Sequence, residues 1–269
     1  MIRVGVIGAM GRMGRQVCAA VADDPELTLV AAIDRSHVDE PIGRVIGHPE
    51  VDVRCSDELD TLLQAETEVG VDFTHPDAVL QTVRWCVEHA VHLVVGTTGL
   101  SPGDLQEVAV ELQRSGGESN VLVAPNFALG AVLMERFASM AARVFPAVEI
   151  IELHHEGKAD APSGTALATA REIGKHVRPE AGSGAETETV PGVRGGEVEG
   201  VRIHSVRLPG LVAHQEVIFG GPGQTLTIRH DAMDRSSFMP GVLLAVKAVA
   251  TRPGLTVGLD PLLDLPGHA

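Results

Sequence analysis

"GVIGAMGRMG", residues 5–14, is the stretch on which the reading of this chain turns. Beyond Gly5, its glycines stand at Gly8, Gly11 and Gly14, where the apolar run "IRVGVIG" ends and the helix pattern "GRMGRQVCAAVAD" begins. A short, almost unbroken apolar run that closes on glycine is the pattern of a parallel strand covered on both faces. The usual dinucleotide fingerprint, G-x-G-x-x-G, places its second glycine two residues after its first, so this copy is one step out of register. Spacing alone therefore decides nothing, and context must. Gly8 suits a tight turn, Gly11 lets backbone approach a pyrophosphate without a Cβ in the way, and Gly14 lets the helix lie on the sheet. The amides and positive end of that helix would hold phosphates. Asp34, at the end of "LTLVAAID" and twenty residues past Gly14, is placed to accept hydrogen bonds from ribose hydroxyls. A glycine-rich turn with no nucleotide is the alternative, and the Asp34 spacing weighs against it. Asp34 repels a 2′-phosphate while Arg35 and Arg12 attract one, so NADH and NADPH both remain compatible. No P-loop lysine follows the glycines, which disfavours nucleotide hydrolysis.

Outward from the turn, strand and helix patterns alternate as far as about residue 126. "SDELDTLLQ" reads as a capped helix, "VGVDFT" as a strand, and "PDAVLQTVRWCVEHA" as a helix with proline at its first position. "VHLVVGTTG", "SPGDLQEVAVELQRS" and "NVLVAP" continue as strand with turn, helix and strand. This rhythm predicts an α/β fold with a Rossmann-type, doubly wound parallel sheet. It then changes. A helical stretch, "ALGAVLMERFASMAARVF", leads into the strand "AVEIIELHHE", and after a further helix come three β-rich segments with no helix between them: "GVRIHSVRLPG", "LVAHQEVIFGG" and "GQTLTIRHDA". The expectation is a second, α+β domain with a mainly antiparallel sheet, open on one face and able to pack against a copy of itself. The acidic, glycine-rich stretch 179–200 reads as a mobile surface loop.

Composition bounds the function classes. A chain of 269 residues with 44% hydrophobic content can bury a sizeable core, and a net charge of −15 repels nucleic acid and anionic lipid. With aromatics at 3%, stacking platforms for single strands are scarce. Cys18, Cys55 and Cys86 form no CxxC pair and are odd in number, favouring a reducing compartment. A first strand starting at Ile2 leaves no room for a signal segment, and even "LLAVKAVA" is broken by Lys247, so a soluble cytoplasmic protein without membrane or nucleic-acid partners is expected.

The densest chemistry is "ELHHEGKADAPSGTA", residues 152–166. His154, His155 and Lys158 gather at a strand end before a Ser-Gly-Thr turn that opens a helix. Three potential cations facing helix amides make a clamp for carboxylates. Adjacent strand residues point to opposite faces, so His154 and His155 share a role only if the strand ends there. A metal site at His154, His155 and Glu156 is opposed by the nearby lysine, and no metal is expected. A structural reading makes Asp160 or Ser163 a helix cap. The turns "GTTG" and "APNFALG" lie at strand C-termini, the edge where open α/β sheets bind ligands.

Taken with "GAMGRMG", "DFTHP", "GTTG", "APNF" and residues 207–238, this string makes the chain resemble, essentially end to end, the bacterial 4-hydroxy-tetrahydrodipicolinate reductases of lysine and diaminopimelate biosynthesis. The irregular glycine spacing is that family's own variant. The resemblance implies hydride transfer from NADH or NADPH to a cyclic dicarboxylic substrate with loss of water. It implies that His154 and Lys158 handle protons, and that His155 with the Gly164 and Thr165 amides grips substrate carboxylates. Cofactor contacts would come from Gly8, Ala9, Met10, Gly11, Arg12, Met13, Asp34, Arg35, Gly96, Thr97, Thr98, Ala124, Pro125, Asn126 and Phe127, with Arg235 as a basic residue nearby. It also implies a nucleotide domain of residues 1–127 completed by 236–269, a substrate domain of 128–235, and a homotetramer assembled through the second domain. Two departures are visible: Ala128 replaces the serine common after "APNF", and the tail "VGLDPLLDLPGHA" is short and lacks an aromatic residue. Another nicotinamide dehydrogenase, acting on a sugar or semialdehyde, and a non-catalytic nucleotide sensor remain as competing readings.

Overall fold

The computed structural model describes residues 1–176 and 187–263, and they fall into two compact units. The first runs from Met1 to Phe127 and resumes at Phe238; the second spans Ala128–Ser237.

In the first unit the chain forms β1 (Ile2–Ile7), α1 (Arg12–Asp23), β2 (Leu27–Ile33), α2 (Ile42–Ile46), β3 (Cys55–Ser56), α3 (Thr61–Gln64) and β4 (Val69–Asp72). It continues with α4 (Pro76–Glu88), β5 (His92–Val95), α5 (Pro102–Arg114) and β6 (Val121–Val123). The strands pair in the order β12-β6-β5-β4-β1-β2-β3, where β12 is Leu255–Val257, and every pairing is parallel. The chain moves outward from β1 through β2 and β3, then crosses to β4 on the other side. That reversal is the switch point at which doubly wound sheets bind ligands. Ile7, Ile33, Leu93, Val95 and Val121 pack against Val79, Val83, Val108 and Leu112 of α4 and α5. The β-branched runs suit strands covered on both faces, as the sequence predicts.

One expected helix is shorter. "SDELDTLLQ" reads as a capped helix, yet only Thr61–Gln64 is helical. Ser56 belongs to β3, and its carbonyl accepts from the Asp34 amide at 2.8 Å. Backbone committed to the sheet edge cannot open a helix. α5, in contrast, has a full capping box: Ser101 Oγ accepts from the Asp104 amide at 3.2 Å, and Asp104 Oδ2 from the Ser101 amide at 2.6 Å.

The second unit holds α6 (Leu129–Ala141), β7 (Ala147–His154), α7 (Gly164–Gly174), β8 (Gly196–Val198), β9 (Val201–Arg207), β10 (Ala213–Gly221) and β11 (Gln224–Ala232). Its sheet runs β11-β10-β7-β9-β8. It is mainly antiparallel as expected, except that β7 and β9 run parallel and place Arg207 beside His154. With a period of two, Val148, Ile150, Ile203, Val217 and Phe219 face Met134, Ala138, Ala166, Ala170 and Ile173 of the two helices. The opposite face carries Glu149, Ile151, Leu153, Glu216 and Ile218, none of them fully buried. Within the stretch expected to be a mobile loop, residues 179–186 lie outside the described residues, while 196–198 form β8 against β9. Of the short tail, residues 264–269 also lie outside them.

The last segment of the first unit is α8 (Met239–Val249) followed by β12. Buried Asn120 ties it in: its Nδ2 donates to the carbonyls of Val249 and Ala250 at 3.1 and 3.0 Å, and its Oδ1 accepts from the Gly254 amide at 2.9 Å. Asn120→Ala strands these backbone groups away from water. It is expected to lower unfolding stability by about 1–3 kcal/mol, measured by urea denaturation.

Candidate functional site

The first unit builds a nucleotide-shaped surface at its switch point. Gly8 adopts φ +80°, and a Cβ there would sit 2.6 Å from the carbonyl oxygen of Phe73, so the turn needs glycine twice over. At Gly14 a Cβ would fall 2.0 Å from the Gly8 carbonyl oxygen. Gly14 thus lets the helix close onto the turn itself rather than onto the sheet. Gly11 is the N-cap of α1, and no side chain caps the helix. The amides of Gly8 and Ala9 are bonded to the Ile33 carbonyl, which leaves the first turn of α1, Arg12 to Gly14, to present its positive end. Arg12 is exposed and Met13 half-buried.

Asp34 stands at the end of β2. Its Oδ2 accepts from the Met10 amide at 2.9 Å, and its Oδ1 from the amide and hydroxyl of Ser36 at 3.0 and 2.7 Å. Burial pushes its pKa up, but these hydrogen bonds outweigh it and hold the carboxyl below the usual range. A charged acceptor is therefore fixed at the rim of a cleft of about 760 Å³ lined by Gly8, Gly11, Asp34, Arg35, Phe73 and His75. Those groups fit a dinucleotide: acceptors for a ribose, a cation beside it and an uncapped helix for phosphate.

Farther along the same sheet edge, Asp72 ties two turns together. It has no solvent exposure, and its Oδ1 accepts from the Thr74 amide at 2.9 Å, the Thr74 hydroxyl at 2.7 Å and the Thr97 hydroxyl at 2.9 Å. Gly96 is required beside it, since a Cβ there would strike the Phe73 ring at 2.2 Å. Phe73 in turn meets Phe127 with ring centroids 5.8 Å apart. Gly96, Thr97, Ala124 and Phe127 are thereby brought to one edge, while Thr98 and Pro125 point to solvent and Asn126 is half-buried. Sequence reading passed over Asp72 as part of "DFTHP"; its signal was a lone carboxylate closing an apolar strand.

The second unit holds the acid–base cluster. β7 ends at His154, so His155 lies beyond the strand and is exposed. The alternation that would separate the two histidines stops between them. His154 Nδ1 lies 2.5 Å from Oε2 of Glu152, whose side chain has no exposure at all. Arg207 grips the same carboxylate with both terminal nitrogens, at 2.9 Å to Oε2 and 2.8 Å to Oε1, and also donates to the Asp160 carbonyl at 2.7 Å. Lys158 Nζ is paired with Asp160 at 2.8 and 2.9 Å. The three potential cations of this string are therefore not equivalent, because His154 and Lys158 already have carboxylate partners. Burial drives the His154 pKa below its ordinary value; Glu152 opposes that, and Lys158 and Arg207 reinforce it. Burial also pushes Glu152 up, but Arg207, Ser205 and His154 outweigh it and keep the carboxylate ionised.

Ser163, not Asp160, caps α7, its Oγ accepting from the Ala166 amide at 3.1 Å. Gly164 opens the helix with nothing within 4 Å of where a Cβ would stand, and Thr165 follows. Arg235 begins an exposed 3-10 turn, Arg235–Phe238. Among the described residues no three His, Cys, Asp or Glu side chains are grouped to hold a metal. Sequence reading missed Glu152 and Arg207. Glu152 was visible two residues before His154, on the same strand face; Arg207 was not, because only the parallel register of β7 and β9 brings it there.

Comparison with known proteins covers both units. The family model for the dihydrodipicolinate reductase N-terminus matches residues 2–127, and that for its C-terminus matches 130–263. A 4-hydroxy-tetrahydrodipicolinate reductase of Nocardia farcinica is 53% identical over 98% of this chain and 99% of its own length. That of Mycolicibacterium smegmatis is 47% identical over 98% of this chain and 100% of its own. The solved structure of a dipicolinate-bound dihydrodipicolinate reductase from Paenisporosarcina sp. TG-14 superposes with a TM-score of 0.86 at 40% identity, covering 98% of this chain and 100% of that one.

The glycine turn yields a direct test. Gly14→Ala forces backbone apart at the Gly8 carbonyl, a strain of about 1–3 kcal/mol. Spread over this turn, it is expected to weaken reduced nicotinamide dinucleotide binding by about tenfold or more, read by fluorescence titration.

Proposed function

The chain belongs to the dihydrodipicolinate reductase family, and from that premise we propose that it reduces 4-hydroxy-tetrahydrodipicolinate to tetrahydrodipicolinate, with loss of water, in lysine and diaminopimelate biosynthesis. The observation that carries this reading at the level of residues is the complete string 152–166, folded so that an imidazole, an ammonium and a helix N-terminus share one stretch of the second unit.

A nicotinamide cofactor, held by Gly8 to Met13, Asp34, Arg35, Gly96, Thr97, Thr98 and Ala124 to Phe127, supplies the hydride when bound. Asp34 accepts the ribose hydroxyls of NADH; the exposed guanidinium groups of Arg12 and Arg35 accommodate the 2′-phosphate of NADPH, so either form is used. The protein's own task is to move protons. The net reaction consumes one proton with the hydride and releases water: the ring carbon beside the departing hydroxyl gives up a proton, so two proton-donating roles remain, one at the leaving oxygen and one at the ring position left electron-rich by the hydride. His154, protonated at Nε2, and Lys158 at Nζ fill those two roles. A lowered pKa makes the imidazolium a stronger acid once it is formed. His155 and the amides of Gly164 and Thr165, at the positive end of α7, hold the two carboxylates. Asp160 keeps Lys158 from swinging away before the substrate arrives.

The open sheet face of the second unit supports assembly of a homotetramer. Its charges are largely matched within one chain: Glu149 with Arg194 and His204, Arg229 with Glu216 and Asp231, and His214 with Asp231. That leaves Ile151, Leu153 and Ile218 as the apolar area available to a second copy. The compartment is the cytoplasm, in keeping with three buried, unpaired cysteines.

Purified enzyme is expected to oxidise NADH and NADPH when given the condensation product of pyruvate and aspartate semialdehyde, followed by loss of absorbance at the nicotinamide band. Oxidation with a sugar or semialdehyde alone, and none with that product, would overturn the assignment. His154→Ala and Lys158→Ala are each expected to lower kcat by about 10²–10⁴-fold with cofactor binding retained. Asp34→Ala is expected instead to raise the KM for NADH more than that for NADPH. Light scattering is expected to give four chains per particle, and fewer for Ile218→Arg.

A further inference from the structure

We propose that Glu152 is a positioning residue for the reaction: clamped by Arg207, its buried carboxylate fixes the ring of His154 in one tautomer and, through the same guanidinium, anchors the loop that carries Lys158. The inference rests on the proton-donor roles given above to His154 and Lys158.

An ionised carboxylate can only accept hydrogen bonds. With Arg207 on both oxygens, Glu152 has no need of a proton, so the short contact to His154 requires hydrogen on Nδ1. Nε2 is then the position that accepts a proton and delivers it. On β10, His154 is paired with Ala213, which brings no charge. The charged groups acting on the imidazole are Glu152 from its own strand, Arg207 from β9 and Lys158 from the following loop; His214 lies on the other face of β10.

Arg207 extends the arrangement. One of its terminal nitrogens bonds Glu152 Oε1 and also the carbonyl of Asp160, whose carboxylate holds Lys158. The two proton donors are therefore referred to a single buried anion. Loss of its charge would loosen the ring and the loop together.

Nitrogen NMR of the imidazoles tests this on the intact enzyme without turnover. In the native protein the neutral His154 ring is expected to carry its proton on Nδ1; a proton on Nε2 would overturn the proposal. In Glu152→Gln the imidazolium loses its neighbouring anion, so its pKa is expected to fall further, by about one unit. An unchanged His154 titration in a folded Glu152→Gln protein would also overturn it. In turnover, the variant is expected to lose about ten- to a hundredfold in kcat with little change in KM, and the high-pH fall in kcat is expected to move to lower pH. A purely structural ion pair would lower thermal stability and leave tautomer and pH profile in place. If the NMR titration moves and the kinetic limb does not, the positioning stands and the proton-donor role of His154 fails.

Discussion

A carboxylate shut away from water stays charged only if fixed positive groups surround it, and the chemistry of the second unit is arranged around one such anion. Glu152 sits on the helix-covered face of β7, where Val148 and Ile150 precede it in the apolar core. Removing the charge from water costs several kcal/mol, and hydrogen bonds from Arg207, Ser205 and His154 offset it. His154 ends β7, from which the loop 155–163 departs, and Ser205 and Arg207 stand beside it on the paired strand β9. The need to satisfy one buried group thus sets the geometry of His154 and, through Arg207 and Asp160, of the loop that carries Lys158.

The first unit answers a different constraint, which is space. Its turns must pass close to one another at the sheet's C-terminal edge, and glycine is used where a single carbon would collide with backbone or ring: Gly8 against Phe73, Gly14 against Gly8, Gly96 against Phe73. Asp72 and the pair Phe73–Phe127 then hold the three turns after β4, β5 and β6 in register. The turn after β4, held in this way, lines the cleft beside Asp34 through Phe73, Thr74 and His75.

Much of this was legible in the sequence, for physical reasons that differ from element to element. Parallel strands advertise themselves because burial on both faces demands runs such as "HLVV" and "VGVD". The helices α4 and α5 were marked by proline at the first turn. Short elements were not legible: β3, β8 and β12 hold two or three residues each, too few for periodicity, and exist because a neighbouring strand presents its edge. The same limit applied to the site. His154, Lys158 and Ser163 lie in one local string and stand out from it; Arg207, fifty-three residues past His154, enters through sheet register alone. Glu152 and Asp160 lie inside the quoted string, but only the fold shows that they pair with His154 and Lys158.

Asn120 has a bearing on how the chain matures on the ribosome. Its partners at Val249, Ala250 and Gly254 are synthesised 129 to 134 residues later, after the whole of the second unit. The second unit is continuous in sequence and can condense as soon as it has emerged, whereas the nucleotide-binding layer waits for its final helix and edge strand. Vectorial synthesis would therefore complete the middle of this polypeptide before its beginning, leaving β6 with an unpaired edge until the last strand arrives.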